Sequence, residues 1–507
     1  MQKTLIQKSV ILITVDCLRA DHVSFLGYGR PTTPFLDDLA TESFVFPTAI
    51  VAGAPTYYSF PAIMASRYPL ALGRDVLGLA PGEPSLASVL QDAGYATASF
   101  NAANPYISNQ FGYGEGFDTF RDFLDVEAAT LMASAVPAPN GNGWASRFNR
   151  KLQALRPHLG PLAAVYDELY FQYCQRLGAP VPGSLDALRR FPAADVIVDN
   201  ALTWLGSIGQ RPFFLWLHLM DPHAPYYPKE KALELMGSPA LTPFRTRYLN
   251  SYWNRGDLSS KALAAHRDHI ITLYDAGIRW IDEQMARLVT ALRDAKRWTD
   301  CIFALTADHG EEFLDHGGRF HPPSQLTEEI IHVPLLLRVP DTAKKELPRS
   351  AFSLLHLAPT LLDAAGLSVP TSFRGRSSWA QMKQGALRND AAISECIAGC
   401  TNPYRSEHRL GPRALVVRES RYKLVLQFDP RTDNLYDLDA DPAERHPLLV
   451  TEARPVRRRL LECARGHLET SVRDRKVSAR LQARLSELRL EWENSGTNST
   501  SGSTAAP

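Results

Sequence analysis

Val10-Ile-Leu-Ile-Thr-Val15 runs straight into Asp16 and Cys17, and the reading of the fold starts there. The run is apolar at odd and even positions alike, the pattern of a strand buried on both faces and hence of a parallel sheet. Two other stretches share the habit. Phe213-Phe-Leu-Trp-Leu-His-Leu219 leads to Asp221-Pro-His223, and Cys301-Ile-Phe-Ala-Leu-Thr306 leads to Asp308-His309. Ligands of open parallel sheets bind beyond the carboxyl ends of the strands. Acids and histidines from three distant stretches are therefore expected to meet in one crevice.

Helical segments fill the intervals. Thr33-Pro-Phe-Leu-Asp-Asp-Leu-Ala40 opens with a cap residue and a first-turn proline. Ser85 to Gly94 reads as a helix closed by glycine, and Tyr95 to Phe100 as the next strand. Further helices are expected around 271–292 and over 352–366, the last ended by Gly366. The alternation predicts an α/β protein: a doubly wound, mostly parallel sheet with helices on both faces. This catalytic unit is expected to span 1–389, with a mostly helical insertion at 121–195. Arg413-Ala-Leu-Val-Val-Arg418 and Tyr422-Lys-Leu-Val-Leu-Gln427 predict a small antiparallel-sheet subdomain over 390–450. A helical tail over 451–493 carries an apolar stripe, Leu481, Leu485, Leu488 and Trp492, read as docking on the protein itself. Residues 494–507, rich in Ser, Thr, Gly and Ala, read as disordered.

Composition narrows the class. A chain of 507 residues, 45% hydrophobic and 21% charged, has the make-up of an ordinary globular protein. A net charge of +1 gives no field to recruit nucleic acid. No window reaches the roughly eighteen uninterrupted apolar residues of a membrane span. The six cysteines are scattered and read as free thiols. The apolar run ahead of Asp16 is too short for a secretory core, so a cytoplasmic location is expected. A homo-oligomer is compatible with all of this.

Asp16, Asp308 and His309 are the candidate ligands of one divalent metal ion. Carboxylates with one imidazole favour a transition metal (zinc, manganese or iron), with calcium the alternative for an oxygen-rich shell. Taken singly, each has a plainer reading, a helix cap for Asp16 and a surface turn for Asp308-His309.

Six segments give the chain a family resemblance. VILITVDCLRADHVSFLGYGRPTTPFLDDLA, ASRYP, MDPHAPYYP, LTADHGEEFLDHGGRFH, LAPTLLDAAG, and RYKLVL followed by DNLYDLDADPAE occur in that order over residues 10 to about 445. Together they resemble the sulfatase family of the alkaline phosphatase superfamily. The resemblance implies a doubly wound α/β domain with a smaller C-terminal sheet. It also implies a nucleophile in a Cys-x-Pro-x-Arg or Ser-x-Pro-x-Arg segment, oxidised to formylglycine. Counting back from ASRYP, that position is Thr56, with Tyr58 and Phe60 where the Pro and Arg would stand. No formylglycine is expected from threonine. Superfamily members that cleave phosphodiesters or phosphonates, or move phosphoethanolamine, use a plain threonine there, and a divalent metal makes such a hydroxyl a competent nucleophile. Thr56 as a mere helix cap is the alternative, and Ser59 is the fallback nucleophile.

Other positions also depart from the family pattern. Cys17 replaces a second acid and reads as a buried bystander or a thiolate ligand. The family's Lys and His after the next strand give way to Phe100-Asn-Ala-Ala-Asn-Pro105, where Asn101 or Asn104 offers an amide to an anionic oxygen or simply forms a turn. By resemblance His223 contacts the transferred group and His321 reaches the substrate, while His218 inside its strand reads as structural. Tyr226, Tyr227 and Trp253 wall a pocket or pack in the core. The expected function is metal-dependent hydrolysis of a small-molecule sulfate or phosphate ester through a covalent Thr56-linked intermediate. A phosphodiesterase, a phosphonate monoester hydrolase or a phosphoethanolamine-type transferase is the alternative, and a non-catalytic anion-binding relative a further one.

Overall fold

The computed structural model describes residues 7–125, 163–176, 183–238, 241–323 and 326–471. Seven strands form its central sheet: β1 (Ser9–Val15), β2 (Phe44–Val45), β3 (Ala96–Asn101), β4 (Thr119–Arg121), β5 (Phe213–Leu219), β6 (Cys301–Ala307) and β7 (Leu335–Arg338). They lie in the order β2-β7-β6-β1-β5-β3-β4. The five strands from β6 to β4 run parallel, while β7 pairs antiparallel with β6 and β2 antiparallel with β7. Every residue of β1, β5 and β6 is buried, which accounts for their unbroken apolar runs. Val15 stands opposite Leu219 on one side and Ala307 on the other. This register makes the three chains leave the sheet at one level, and it brings the strand-end acids together.

Helices α1 (Pro34–Ala40), α4 (Ala194–Ser207) and α5 (Arg267–Asp294) pack as one group. Helices α2 (Thr56–Ala65), α3 (Leu86–Asp92) and α6 (Leu357–Ala364) pack as another. Helix α5 buries Ile270, Leu273, Ile278, Ile281, Met285, Leu288 and Leu292, mostly three or four positions apart, so one stripe faces inward. Each such side chain contributes about 1.5–3 kcal/mol by leaving water.

Two helix starts illustrate local chemistry. Ser85 closes a capping box with Ser88 at the start of α3, and Gly94 follows its end at φ +87°. Thr33 occupies the cap position of α1 but does not cap it. Its hydroxyl donates to Asp37 Oδ1 (3.0 Å), and the Phe35 and Leu36 amides donate to the Asp282 carboxylate of α5 (2.9 Å each). A carboxyl group delivered from a packed helix accepts from these two orphan N–H groups, although burial pushes its pKa up to about 7. The stretch 352–366 is likewise less regular than expected. A two-residue strand, Phe352–Ser353, and a 3-10 turn precede α6, and Gly366 at φ +81° ends it.

The C-terminal sheet is antiparallel, β8 (Ala392–Ile397), β9 (Arg413–Glu419), β10 (Tyr422–Phe428) and β11 (Arg431–Asp437) in sequence order. Residues 454–471 form a helix whose Leu460 and Ala464 pack on Ile393, Leu415 and Val417 of that sheet. Buried polar links tie it to the larger unit. The Glu395 backbone amide donates to Ala52 O (3.0 Å), its carboxylate accepts from Leu70 N (3.1 Å), and Lys423 is enclosed between Glu328 (3.3 Å) and Glu444 (2.7 Å). Within the expected insertion, Ala163–Arg176 is a helix. The remainder of 126–182, the 481–492 stripe and 494–507 lie outside the described residues.

Candidate active site

Asp16 follows β1, and Asp308 and His309 follow β6. All three are wholly buried, and one ligand atom from each lies within 4.8 Å of the others. His309 Nε2 stands 3.8 Å from Asp16 Oδ1 and 3.7 Å from Asp308 Oδ2. His309 Nδ1 lies 2.8 Å from Gly310 O, so Nδ1 carries the proton and Nε2 presents a lone pair to the acids. Gly310 is required here, because a Cβ on it would meet Glu329 O at 1.9 Å.

Asp308 Oδ1 accepts the His309 amide, whereas Oδ2 is buried without a hydrogen-bond partner. Burial and then the nearby Asp16 push the Asp308 carboxyl up. Asp16 is well below the usual carboxylate range: burial opposes ionisation, but His223, His218 and His309 around it outweigh that. Two acids facing one imidazole lone pair, one oxygen orphaned, are a donor set that fits a divalent cation.

Thr56 is the first residue of α2 and only 4% exposed. Its Oγ1 lies 3.2 Å from His309 Nε2, and the tautomer makes the hydroxyl the donor. The start of a helix beside it favours negative charge on that oxygen. Ser59 is also buried, but its hydroxyl donates to the Thr56 carbonyl (3.1 Å), within its own helix. Phe60, at the position of the family arginine, is enclosed by Trp216 and His218, with ring centroids 5.5 and 5.3 Å away.

Asn104 is brought in, though toward a ligand residue: its amide donates to Asp16 Oδ2 (2.8 Å), and its Oδ1 accepts from Tyr106 N. Asn101 turns away, donating to Ile107 O (3.4 Å). The Cys17 thiol donates to Asp16 Oδ1 (3.0 Å), and burial, together with Glu311 and Asp16, pushes its pKa well up, so it is held as a thiol. Cys17 also sits at φ +61°, a strained backbone for a residue with a side chain. His218 Nε2 is 3.3 Å from Asp16 Oδ2, so this strand histidine backs the site and does more than fill the core.

His223 and His321 face each other across the opening, ring centroids 5.3 Å apart, and His321 lies 4.5 Å from the His309 ring. His321 Nδ1 is 3.4 Å from both Cys17 Sγ and Glu311 Oε1. Glu311 is wholly buried with both carboxylate oxygens lacking hydrogen-bond partners. The sequence reading passed over this residue, although it lies inside the TADHGEE segment. Tyr226 and Trp253 are core residues, 1% exposed each, and Tyr227 is partly buried. A chamber of about 460 Å³ opens over Thr56, Asn104, His223 and His321. Among the described residues no helix is long and apolar enough to cross a membrane.

Residues 8–367 match the sulfatase family, and residues 319–463 match the family described as N-sulphoglucosamine sulphohydrolase, C-terminal. The chain belongs to the sulfatase family. It is similar to arylsulfatase K of Xenopus laevis, 25% identical over 49% of this chain and 50% of that one, so it spans about half the length of that relative. It is also similar to an arylsulfatase of Clostridium perfringens, 24% identical over 88% of this chain and 90% of the relative. The fold matches the crystal structure of a phosphonate monoester hydrolase of Agrobacterium radiobacter with a TM-score of 0.63 and 18% identity, over 92% of this chain and 96% of that one.

Proposed function

We propose that this protein is a metal-dependent hydrolase of sulfate or phosphate esters that uses Thr56 as its nucleophile. The observation that carries the reading is the Thr56 hydroxyl, held at a helix start within 3.2 Å of His309 Nε2 and beside Asp16 and Asp308. Asp16, Asp308 and His309 would hold the cation. When bound, it would supply positive charge that lowers the hydroxyl pKa and offsets charge on the non-bridging oxygens.

The chain's own groups account for the rest. Thr56 gives up its hydroxyl proton to solvent, and its oxygen attacks sulfur or phosphorus in line, forming one bond as the bond to the alcohol oxygen breaks. The departing oxygen takes a proton from His321 or His223, which flank the opening. Glu311 Oε1, 3.4 Å from His321 Nδ1 but not hydrogen-bonded to it, would orient that ring by charge, with Nε2 toward the leaving group. Water then attacks the Thr56 ester, giving one proton to the histidine that lost its own in the first step, as the bond to the Thr56 oxygen breaks; that oxygen takes up a proton from solvent and the acid leaves.

A phosphodiesterase or phosphonate monoester hydrolase is the second reading. It is favoured by the threonine itself and by Phe60, a buried phenyl where a formylglycine site carries arginine. Purified, metal-loaded protein assayed on an aryl sulfate and an aryl phosphodiester separates the two. Turnover of neither under zinc, manganese or calcium overturns both.

A further inference from the structure

His321 reaches the opening on a short hairpin, in which Glu312–Phe313 pairs antiparallel with Arg319–Phe320. The turn of this hairpin is tied to the C-terminal part of the chain. Arg445 donates to Asp315 O, and His316 Nε2 lies 3.0 Å from Ala443 O. A carbonyl oxygen only accepts, so His316 Nε2 carries a proton and Nδ1 of the neutral ring holds a lone pair. That lone pair faces Glu329 Oε2 at 3.5 Å, and both atoms are buried without a hydrogen-bond partner. Glu444 closes the group. It is 7% exposed, and one ligand atom from each of His316, Glu329 and Glu444 lies within 4.8 Å of the others.

Spacing and charge say what would lie between them. A proton shared by Nδ1 and Oε2 would draw the two to about 2.5–3.0 Å, well inside the 3.5 Å observed. Two ligand atoms of a tetrahedral ion with bonds of about 2.0–2.1 Å stand about 3.4 Å apart. The neighbouring acids are already answered: Lys423 Nζ stands 3.3 Å from Glu328 and 2.7 Å from Glu444, and Arg418 Nε 3.4 Å from Glu328. Glu329 has no Lys or Arg within ion-pair distance among the described residues, only His316. A carboxylate oxygen and an imidazole lone pair, both buried and unpaired, call for a cation. The Nε2–H bond to a backbone carbonyl is the outer contact that metal-ligating histidines make. Glu444 keeps lone pairs to give, since its oxygens meet one partner each, Lys423 at Oε1 and the Glu328 amide at Oε2 (2.7 Å).

We propose that His316, Glu329 and Glu444 form a second divalent-cation site, suited by its imidazole and carboxylates to zinc, that staples the His321 hairpin to the C-terminal part of the chain. It shares no residue with Asp16, Asp308 and His309, and it rests on none of the catalytic assignments. The cation would answer the Glu329 charge. The pinned turn, five residues before His321, would hold that histidine at the opening.

The test uses the full chain, stripped with chelator, reloaded with zinc and freed of excess by gel filtration, with bound zinc counted per chain by elemental analysis. Two equivalents are expected in the parent. Glu329→Gln, which keeps the shape of the side chain, and His316→Gln should each retain one, as should Asp308→Asn. Asp308→Asn combined with Glu329→Gln should retain none. Cobalt(II) added to the Asp308→Asn chain should give the strong visible bands of a four-coordinate ion, and Glu329→Gln should remove them. One equivalent, lost in Glu329→Gln and kept in Asp308→Asn, would uphold this site and remove the first. One equivalent kept in Glu329→Gln, or two kept in both Glu329→Gln and His316→Gln, would overturn the proposal and leave His316 and Glu329 an ordinary ion pair. No bound zinc overturns both sites.

Discussion

Replacing Thr56 by valine removes one hydroxyl and keeps the shape. The residue is 4% exposed and its oxygen makes one side-chain hydrogen bond, to His309 Nε2 at 3.2 Å. In metal-free protein, losing that bond and leaving a buried imidazole nitrogen unpartnered costs about 1–3 kcal/mol of stability, a cost that a cation on Nε2 would remove. Catalysis loses far more. Removing the attacking group of a covalent mechanism typically costs about 10⁴- to 10⁶-fold in kcat, or about 5–8 kcal/mol of transition-state stabilisation. Thr56→Ser restores an oxygen at the same place and is expected within about ten-fold of the parent, allowing for a freer χ1 without the β-branch. The assay is kcat on the better of the two aryl esters, with bound metal and the melting temperature followed in parallel. Valine is expected to abolish turnover at unchanged metal content, with serine rescuing it. A valine variant within ten-fold of the parent, or a serine variant as inactive as valine, would refute the reasoning.

Four further outcomes follow from other parts of the structure. The Glu395 carboxyl, buried but held by His467 and Arg413, is pushed down to about 2 from 4.5. Being depressed in the folded state, it contributes about 3 kcal/mol that is present above pH 4.5 and is lost as pH falls toward 2; Glu395→Gln should flatten melting temperature against pH below 4.5, and an unchanged slope contradicts this. Zinc or manganese added to chelator-treated Glu329→Gln protein at a hundred-fold excess over Kd should stabilise it by about 2.7 kcal/mol, an effect that adding Asp308→Asn should lose and that, if retained, removes Asp308 from the site. Rebuilding the family segment as Thr56→Cys with Phe60→Arg should give a poorly folded protein, because an unpaired guanidinium among Trp216, His218 and Tyr113 costs more than about 4 kcal/mol; a denaturation midpoint equal to the parent's speaks against that packing. Glu311→Gln should lower kcat by about 10²-fold for an alkyl leaving group and much less for p-nitrophenyl, since only the former needs its proton, and an equal loss for both would make Glu311 merely structural.

How much was legible in advance depended on where the partner of each group sits. β1, β5 and β6 could be read because burial on both faces leaves an unbroken apolar run, and parallel pairing then obliges Asp16, Asp308 and His309 to emerge at one end. α3 could be read because Ser85 and Ser88 cap each other across three residues. The start of α1 could be read from its first-turn Pro34, but its capping group could not, since Asp282 comes from 246 and 247 residues away and carries no local signature. Sequence spacing put Ser59 one turn beyond Thr56, but the same helix gives its hydroxyl a nearer acceptor in the Thr56 carbonyl. Asn104 was read as a donor to an anion; it is one, but the anion is the Asp16 carboxylate. Glu311 and His218 escaped because a motif tells which residues recur, and only coordinates tell which carboxylate oxygen lacks a donor.

The departures from the family pattern become coherent when charge is counted. The resemblance implies a second acid at position 17 and a cationic Lys and His near residues 101 to 104. A unit charge about 4 Å away is worth about 4 kcal/mol at an effective dielectric of 20, so losing either feature alone would unbalance the site. Here both are replaced by neutral groups on one carboxylate: the Cys17 thiol donates to Asp16 Oδ1 and the Asn104 amide to Asp16 Oδ2. An anion and its compensating cations go together, and hydrogen bonds take over the placing of Asp16. A divalent cation held by Asp16 and Asp308 would leave a centre close to neutral. Such a centre is matched to a single negative charge on the ester, a sulfate monoester or a phosphodiester, and mismatched to a doubly charged phosphate monoester. On the proposed function, that shared monoanionic charge would let a site with one acid fewer than the resemblance implies, and a plain hydroxyl at position 56, present one surface to either acid.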